Sequence, residues 1–304
     1  SGGSGVVLMW FIKSREVAFR FYGHYDYVNN VRPSPKSGLV ASSCDSKTIR
    51  IWKYYPSKTT KDAIELSTPI SAVCATEEDQ RVFIGTEKSI LELTTTNSED
   101  QVIELVDLPE SGTLKSLFSS KDGGELYLFK SNGALSKYSL GHRKFVVQLA
   151  PNSTIKEMFL SPNDSCTILF HENGEVWFCD LNYKLFPDGQ RPFHEKAASC
   201  GQFSPDGSLF CSGGNDKRIG IWDVEQKELI RILFPHPSQL TRAVWSPSQK
   251  FIVSSCFDPV IRVWDARTGV LLRKLVRHKI NVENLSFCGN FDSWLISVVE
   301  NPYL

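Results

Sequence analysis

Charge of one sign is missing from this chain: its 304 residues carry 34 Lys and Arg against 34 Asp and Glu, a formal net charge of zero. That balance argues against a dedicated binder of nucleic acid or of an anionic membrane, whose electrostatic footprint should show in the total. Long apolar runs are missing as well, and none approaches the length that crosses a bilayer. No secretory signal opens the chain; residues 1–5 (Ser-Gly-Gly-Ser-Gly) read as an appended linker, and residues 6–304 as one folded unit. The eight cysteines (Cys44, Cys74, Cys166, Cys179, Cys200, Cys211, Cys256, Cys288) are scattered singly, with no Cys-x-x-Cys pair. A zinc cage or a thioredoxin-like motif therefore has no local support. Read as reduced thiols inside apolar strands, they point to the cytosol or the nucleus. Motifs for a nucleophile elbow, a zinc protease, a phosphate loop or a dinucleotide fold are absent too. The expectation is no catalytic residue, no metal and no cofactor.

What is present is a repeat. Phe203-Ser204-Pro205-Asp206-Gly207 with Ile221-Trp222-Asp223 aligns with Trp245-Ser246-Pro247-Ser248 with Val263-Trp264-Asp265. The Ser-Pro turns (204 to 246) and the Trp-Asp pairs (222 to 264) are both 42 residues apart. Stepping by that period reaches Ser161-Pro162, Ser120-Lys121-Asp122-Gly123, Thr76-Glu77-Glu78-Asp79, Ser34-Pro35 and, forwards, Cys288-Gly289-Asn290. Between these seven markers lie short apolar strands broken by turn residues, with no sustained helical period. One unit reads as strands over 198–203, 209–212, 218–222 and 228–234, which is the content of one propeller blade. With Gly23-His24, Cys44-Asp45 and Ile51-Trp52, the chain resembles the WD-repeat family along nearly its whole length. The resemblance is strongest around Trp52, Trp222 and Trp264; in the third to fifth units Leu93, Tyr138 and Cys179 stand at the Trp position.

The resemblance implies an all-β fold, a seven-bladed β-propeller of four-stranded antiparallel blades. Residues 6–12 and 17–22 read as third and fourth strands, residues 282–287 and 294–299 as first and second. The ring is therefore expected to close through a blade split two-plus-two between the termini, where an open ring would leave edges bare. The family also implies a hydrogen-bonded network in each blade. By position it falls on His24, Asp45 and Trp52 (with Ser42 or Ser43), on His194, Ser212, Asp216 and Trp222, and on His236, Asp258 and Trp264 (with Ser254 or Ser255). His278, Ser297 and Trp10 make a partial set. Such a Ser–His–Asp group looks like a hydrolase triad, but its repetition and its Trp donor favour a structural network.

Propeller rims bind through loops, because the strands are committed to the core. The family's wide face takes the residues flanking the first apolar position of strand one and the residue before the turn Asp. That rule selects Tyr27 and Asn29, Lys115, Lys130, Lys156, His171, Asn215, Thr241 and Phe257, with Tyr25 nearby. Lys115, Lys130, Lys156 and His171 are expected to form a basic arc, and Tyr25, Tyr27 and Phe257 an aromatic anchor. Together they point to a protein or peptide partner, acidic or phosphorylated, within a larger complex. Separately, Trp264-Asp265-Ala266-Arg267 fits the Trp-Asp-x-Arg pattern of cullin-RING ubiquitin ligase substrate receptors, with Asp265 and Arg267 as adaptor contacts. The leading expectation is a non-catalytic scaffold, the alternative a ligase receptor. An enzyme would need convergent carboxylates or a perturbed histidine in the central channel.

Overall fold

The structure is a computed structural model that describes residues 6–11, 16–24, 26, 28–33, 39–53, 64–65, 68–76, 81–95, 100–108, 112–150, 152, 154–233, 236–276, 278, 281–287 and 294–299. Strands β1 (Val6–Phe11) and β2 (Glu16–Phe21) open the chain. Blade 1 follows with β3 (Val28–Pro33), β4 (Leu39–Cys44), β5 (Thr48–Lys53) and β6 (Ile64–Glu65). Blade 2 holds β7 (Ile70–Ala75), β8 (Arg81–Thr86), β9 (Ser89–Thr95) and β10 (Asp100–Asp107). Blade 3 holds β11 (Leu114–Ser119), β12 (Glu125–Lys130), β13 (Leu135–Ser139) and β14 (Lys144–Leu149). Blade 4 holds β15 (Ile155–Leu160), β16 (Thr167–His171), β17 (Glu175–Cys179) and β18 (Leu185–Pro192). Blade 5 holds β19 (Ala198–Phe203), β20 (Leu209–Gly214), β21 (Ile219–Asp223) and β22 (Glu228–Leu233). Blade 6 holds β23 (Leu240–Trp245), β24 (Phe251–Cys256), β25 (Val260–Asp265) and β26 (Leu271–Val276).

These six sheets are contiguous in sequence. A further four-stranded sheet, in the order β2-β1-β28-β27, joins the chain's two ends through β27 (Val282–Phe287) and β28 (Trp294–Val299). β1 pairs with β28 from Val6↔Val299 to Phe11↔Trp294, so the two-plus-two split stands. The first strands touch in a closed circle, β3 to β7, β11, β15, β19, β23, β27 and back to β3. The fold is thus an all-β propeller of four-stranded antiparallel blades.

Composition explains the layering. Second strands such as β12 (ELYLFK) and β16 (TILFH) are buried on both faces and read as near-continuous apolar runs. Outer strands such as β14 and β26 alternate exposed with half-buried residues. The core lies between blades: Phe170 and Phe178 of blade 4 pack with Phe210 and Trp222 of blade 5. The repeated Ser-x-Asp marker is a turn device. Ser204 donates to Asp206 Oδ1 (2.6 Å) and accepts the Leu209 N–H (2.9 Å), and Ser120 with Asp122 repeats both bonds. The markers at 34–36, 77–79 and 288–290 lie outside the described residues.

Candidate functional site: the blade networks and the bulged face

Blade 5 carries the network complete. Trp222 Nε1 donates to Ser212 Oγ at 2.9 Å, and His194 Nε2 lies 2.9 Å from the same oxygen. His194 Nδ1 faces both Asp216 carboxylate oxygens at 3.0 and 3.1 Å. With Nδ1–H donating to the carboxylate, Nε2 is left to accept the Ser212 hydroxyl proton. Burial by itself raises the Asp216 carboxyl, but the bonds from His194, Arg218 N and Glu195 N outweigh it and hold it below the ordinary range. Ser212 is wholly buried and occupied on both sides, so no substrate reaches it and the trio is not a nucleophile.

The other blades vary this network. In blade 6 His236 Nε2 lies 2.7 Å from Ser254 Oγ, and Trp264 donates to that oxygen at 2.8 Å. Ser254, not Ser255, is therefore the network hydroxyl. The expected Asp258–His236 bond gives way to a fork from Arg262, at 2.6 and 3.1 Å to the two Asp258 oxygens. The reason is local: Arg262 stands two residues before Trp264, whereas Gly220 holds that place in blade 5 and leaves Asp216 to His194. Blade 1 has Arg50 at that place; there Ser42 bonds His24 and Trp52 (both 2.6 Å), Thr48 Oγ1 lies 3.3 Å from His24 Nδ1, and Asp45 is exposed. In the split blade His278 Nε2 lies 3.1 Å from Ser297 Oγ. Burial, helped by Arg50 and Arg262 in the first two cases, lowers His24, His236 and His278 to about 4. Leu93, Tyr138 and Cys179 do occupy the Trp register, opposite Val82, Leu126 and Thr167 as Trp222 is opposite Phe210. All three are buried.

One wide face shares a backbone feature. Each first strand slips register at its second residue, a β-bulge that leaves Asn29, Ser71, Lys115, Lys156, Ser199, Thr241 and Glu283 without a Cα partner. Bulges re-aim side chains and gather beside functional sites. Asn29, Lys115, Lys156 and Thr241 of the predicted face are bulge residues, and Ser199 and Glu283 stand at the same first-strand position; Ser71, which follows from the position of Ile70, completes the circle. Tyr25 and Tyr27 lie outside the described residues, and of Asn29 only the backbone is described.

The same register corrects the basic arc. Leu114 pairs with Lys130 and Ile155 with His171, just as Ala198 pairs with Gly214 and Leu240 with Cys256. Asn215 and Phe257 sit one residue further out, donating their N–H groups to Ala197 and Gln239 carbonyls. Their equivalents are Ser131 and Glu172, bonded likewise to Thr113 and Thr154, and not Lys130 and His171. Lys130 is accordingly buried, 4% exposed, and burial lowers its pKa. His171 stacks on Trp177 at 4.1 Å, with Thr154 Oγ1 3.0 Å from its Nε2. Burial, against Glu175 and Glu172, lowers its pKa.

Lys115 and Lys156 are thus the cations of that arc, and both are paired. Lys115 Nζ lies 3.1 Å from Glu157 and donates to the Lys156 carbonyl; Lys156 Nζ lies 3.1 Å from Glu172. Thr241 Oγ1 donates to the Val282 carbonyl at 2.8 Å and lies 2.7 Å from Ser255 Oγ, which ties neighbouring blades together. Phe257 is 52% exposed, an aromatic ring standing in solvent on this face.

The Trp-Asp-x-Arg stretch lies at the opposite end of the blade, where β25 runs into the turn before β26. Asp265 Oδ1 accepts Thr268 N–H (2.6 Å) and O–H (2.8 Å), so the carboxylate holds the turn; Arg267 is exposed. Asp223 Oδ1 does the same for Gln226 N in blade 5 (2.8 Å). No group of three or more His, Cys, Asp or Glu able to hold a metal is found among the described residues. No described helix is long and apolar enough to cross a membrane.

A propeller of four-stranded blades, three of which carry a Trp–Ser–His network, defines a class. The chain carries WD40 repeats: the WD domain, G-beta repeat family matches residues 15–53, 188–223 and 227–265. Each match starts on an outer strand and ends with a Trp-bearing third strand; none ends on the third strand of blades 2 to 4, which lack that Trp. Among similar proteins are the transcriptional corepressor LEUNIG_HOMOLOG of Arabidopsis thaliana (33% identical, 43% of this chain, 17% of that protein). Apoptotic protease-activating factor 1 of Rattus norvegicus is 29% identical over 90% of this chain and 18% of its own length. WD repeat and SOCS box-containing protein 1 of Mus musculus is 34% identical over 56% of this chain and 46% of its own length. The chain spans less than half the length of each of these relatives. WD-repeat proteins typically serve as interaction scaffolds within complexes, and the family is in general non-catalytic.

Proposed function

We propose that the seven sheets act as one closed, seven-bladed, non-catalytic ring that binds a peptide or partner subunit on the bulged face. The observation that carries this is the circle of bulge residues with exposed Phe257 beside it. The strands are committed to the core, whereas these positions differ from blade to blade. The partner places an apolar side chain on Phe257. An acidic or phosphorylated residue would bind Lys115 or Lys156 only by displacing Glu157 or Glu172, and Asp45, Glu87 and Glu172 stand on the outer circle. Charge preference is therefore secondary to the apolar anchor. The similarity to a transcriptional corepressor and to a U3 small nucleolar RNA-associated protein supports a nuclear location.

A displayed peptide library selected on the ring tests this, with selected peptides then titrated against Phe257→Ala and Lys115→Glu/Lys156→Glu. Losing an aromatic anchor costs about 2 kcal/mol, so Phe257→Ala should weaken binding by more than about tenfold with unchanged melting. Peptides that bind both variants as they bind wild type defeat the face reading.

A second reading has its own observation. The similarity to a SOCS box-containing protein, with exposed Arg267 beside a turn fixed by Asp265, fits a substrate receptor of a cullin-RING ubiquitin ligase. Arg267→Ala would then abolish adaptor binding and leave the melting temperature alone; retained binding rejects it.

A further inference from the structure

Every blade ends on an outer strand with one bare edge, and natural sheets blunt such edges with proline, mixed charge or short length. Here β18 carries Pro187 and Pro192, and β22 mixes Glu228 with Arg231. Three outer strands lack such protection: β14 (KFVVQL), which carries only Lys144 and leaves Val146 and Leu149 exposed, and two of opposite charge. β10 (DQVIELVD) contains acids and no base; β26 (LLRKLV) contains bases and no acid. Both leave large apolar side chains in water: Val102 is 40% and Ile103 49% exposed on β10, Leu272 45% and Val276 62% on β26.

We infer that two copies of this chain associate by antiparallel pairing of β10 of one copy with β26 of the other. The exposed residues of β26 alternate, Leu272, Lys274 and Val276, while Leu271 packs inwards. On β10, Val102 and Glu104 are exposed two residues apart. Setting Glu104 opposite Lys274 sets Val102 opposite Val276, so one register satisfies charge and apolar contact together. Slipping this antiparallel register by one residue sets Ile103 opposite Lys274 or Glu104 opposite Leu275, an apolar chain against a charge. Pairing in this register extends as far as Glu104, because the β10–β9 ladder is irregular between Glu104 and Val106. The added strand also supplies partners for the bare backbone groups of both edges.

Blades 2 and 6 are three steps apart one way round the ring and four the other. The two edges therefore lie on nearly opposite sides, and the contact is heterologous: copies join head to tail and chains grow with concentration. Surface ion pairing makes the assembly weaker in high salt.

Sedimentation velocity on the full chain tests this. The wild type should show species heavier than monomer that increase with concentration and decline with salt. Lys274→Glu alone and Glu104→Lys alone should each be monomeric, since each sets like charges opposite. An equimolar mixture of the two should regain the heavy species, because every junction then faces opposite charges. Both substitutions are exposed, and melting temperatures equal to wild type would exclude misfolding. A wild type that stays monomeric throughout overturns the proposal and leaves these edges to a strand from another protein. Heavy species that persist in either variant, or a mixture that stays monomeric, overturn it equally.

Discussion

Ser212→Ala removes one hydroxyl and strands two buried groups. Trp222 Nε1 loses its acceptor and His194 Nε2 loses its partner, both at 2.9 Å in a site closed to water. A buried polar group left unpaired costs about 1–3 kcal/mol, so the two together cost about 3 kcal/mol. At about 2–4 °C per kcal/mol for a domain of this size, melting should fall by about 6–12 °C. Ser208→Ala is the control: Ser208 is exposed and its hydroxyl binds only Asp206, so the change should stay within about 0.5 kcal/mol. Thermal and denaturant unfolding followed by tryptophan fluorescence read both. A double-mutant cycle sharpens the test, because Trp222→Phe in the Ser212→Ala background no longer strands the indole N–H. The double variant should therefore lose less than the sum of the singles. Equal costs for Ser212→Ala and Ser208→Ala, or strict additivity in the cycle, would refute the network as a stabilising element.

Three further outcomes follow from the same geometry. His24, His236 and His278 are held neutral with pKa values lowered to about 4, by burial first and by Arg50 and Arg262 at the first two. The unfolded chain protonates them near about 6.5, so stability is full above that pH and drains as pH falls towards 4. Equal denaturant midpoints at neutral and mildly acidic pH would contradict this. The seven described cysteines are buried, and burial raises Cys200 to about 11 and Cys179 to about 12. A thiol reagent should therefore label at most Cys288 until the chain is unfolded; faster native labelling of more sites would count against the packing. Gly174 has φ +88°, and a Cβ there would sit 2.0 Å from the His194 carbonyl oxygen of the next blade. Gly174→Ala should cost more than about 1 kcal/mol in denaturant unfolding; a neutral result would show that this inter-blade seam yields.

The fold was legible because the blade repeats its chemistry. Ser-x-Asp turns, two near-continuous apolar strands and a Trp set at constant spacing leave one register each, and the weak units could be threaded by period alone. That is why Leu93, Tyr138 and Cys179 could be set at the Trp position with no Trp to mark it. The same signal located the split blade, since Trp10 falls in register only if β1 is a third strand. What the repeat hid was the choice among hydrogen-bond partners. Asp216 and Asp258 look equivalent in the alignment, yet Arg262 takes the second and Gly220 leaves the first to His194. The deciding residue lies on the third strand, four positions after the Asp and 26 after the His of the pair it separates, and is visible in sequence once the strand register is known.

The face was harder to place, and the error was of one residue. A first-strand bulge adds one residue that a simple alternation does not count, so Lys130 and His171 were set level with Asn215 and Phe257, although they lie one step inwards. Alternation makes that step decisive: the inner position pairs with the first strand and is buried in blade 3, and the outer one meets solvent. Moving by one replaces a lysine and a histidine with Ser131 and Glu172 and removes two of the four members of the expected basic arc. The remaining two, Lys115 and Lys156, each bring their own carboxylate. A partner chosen for negative charge would thus gain one ion pair by breaking another, whereas a partner with an apolar side chain gains the burial of Phe257 without displacing anything. Backbone irregularity, more than residue type, decides which side chains this face presents.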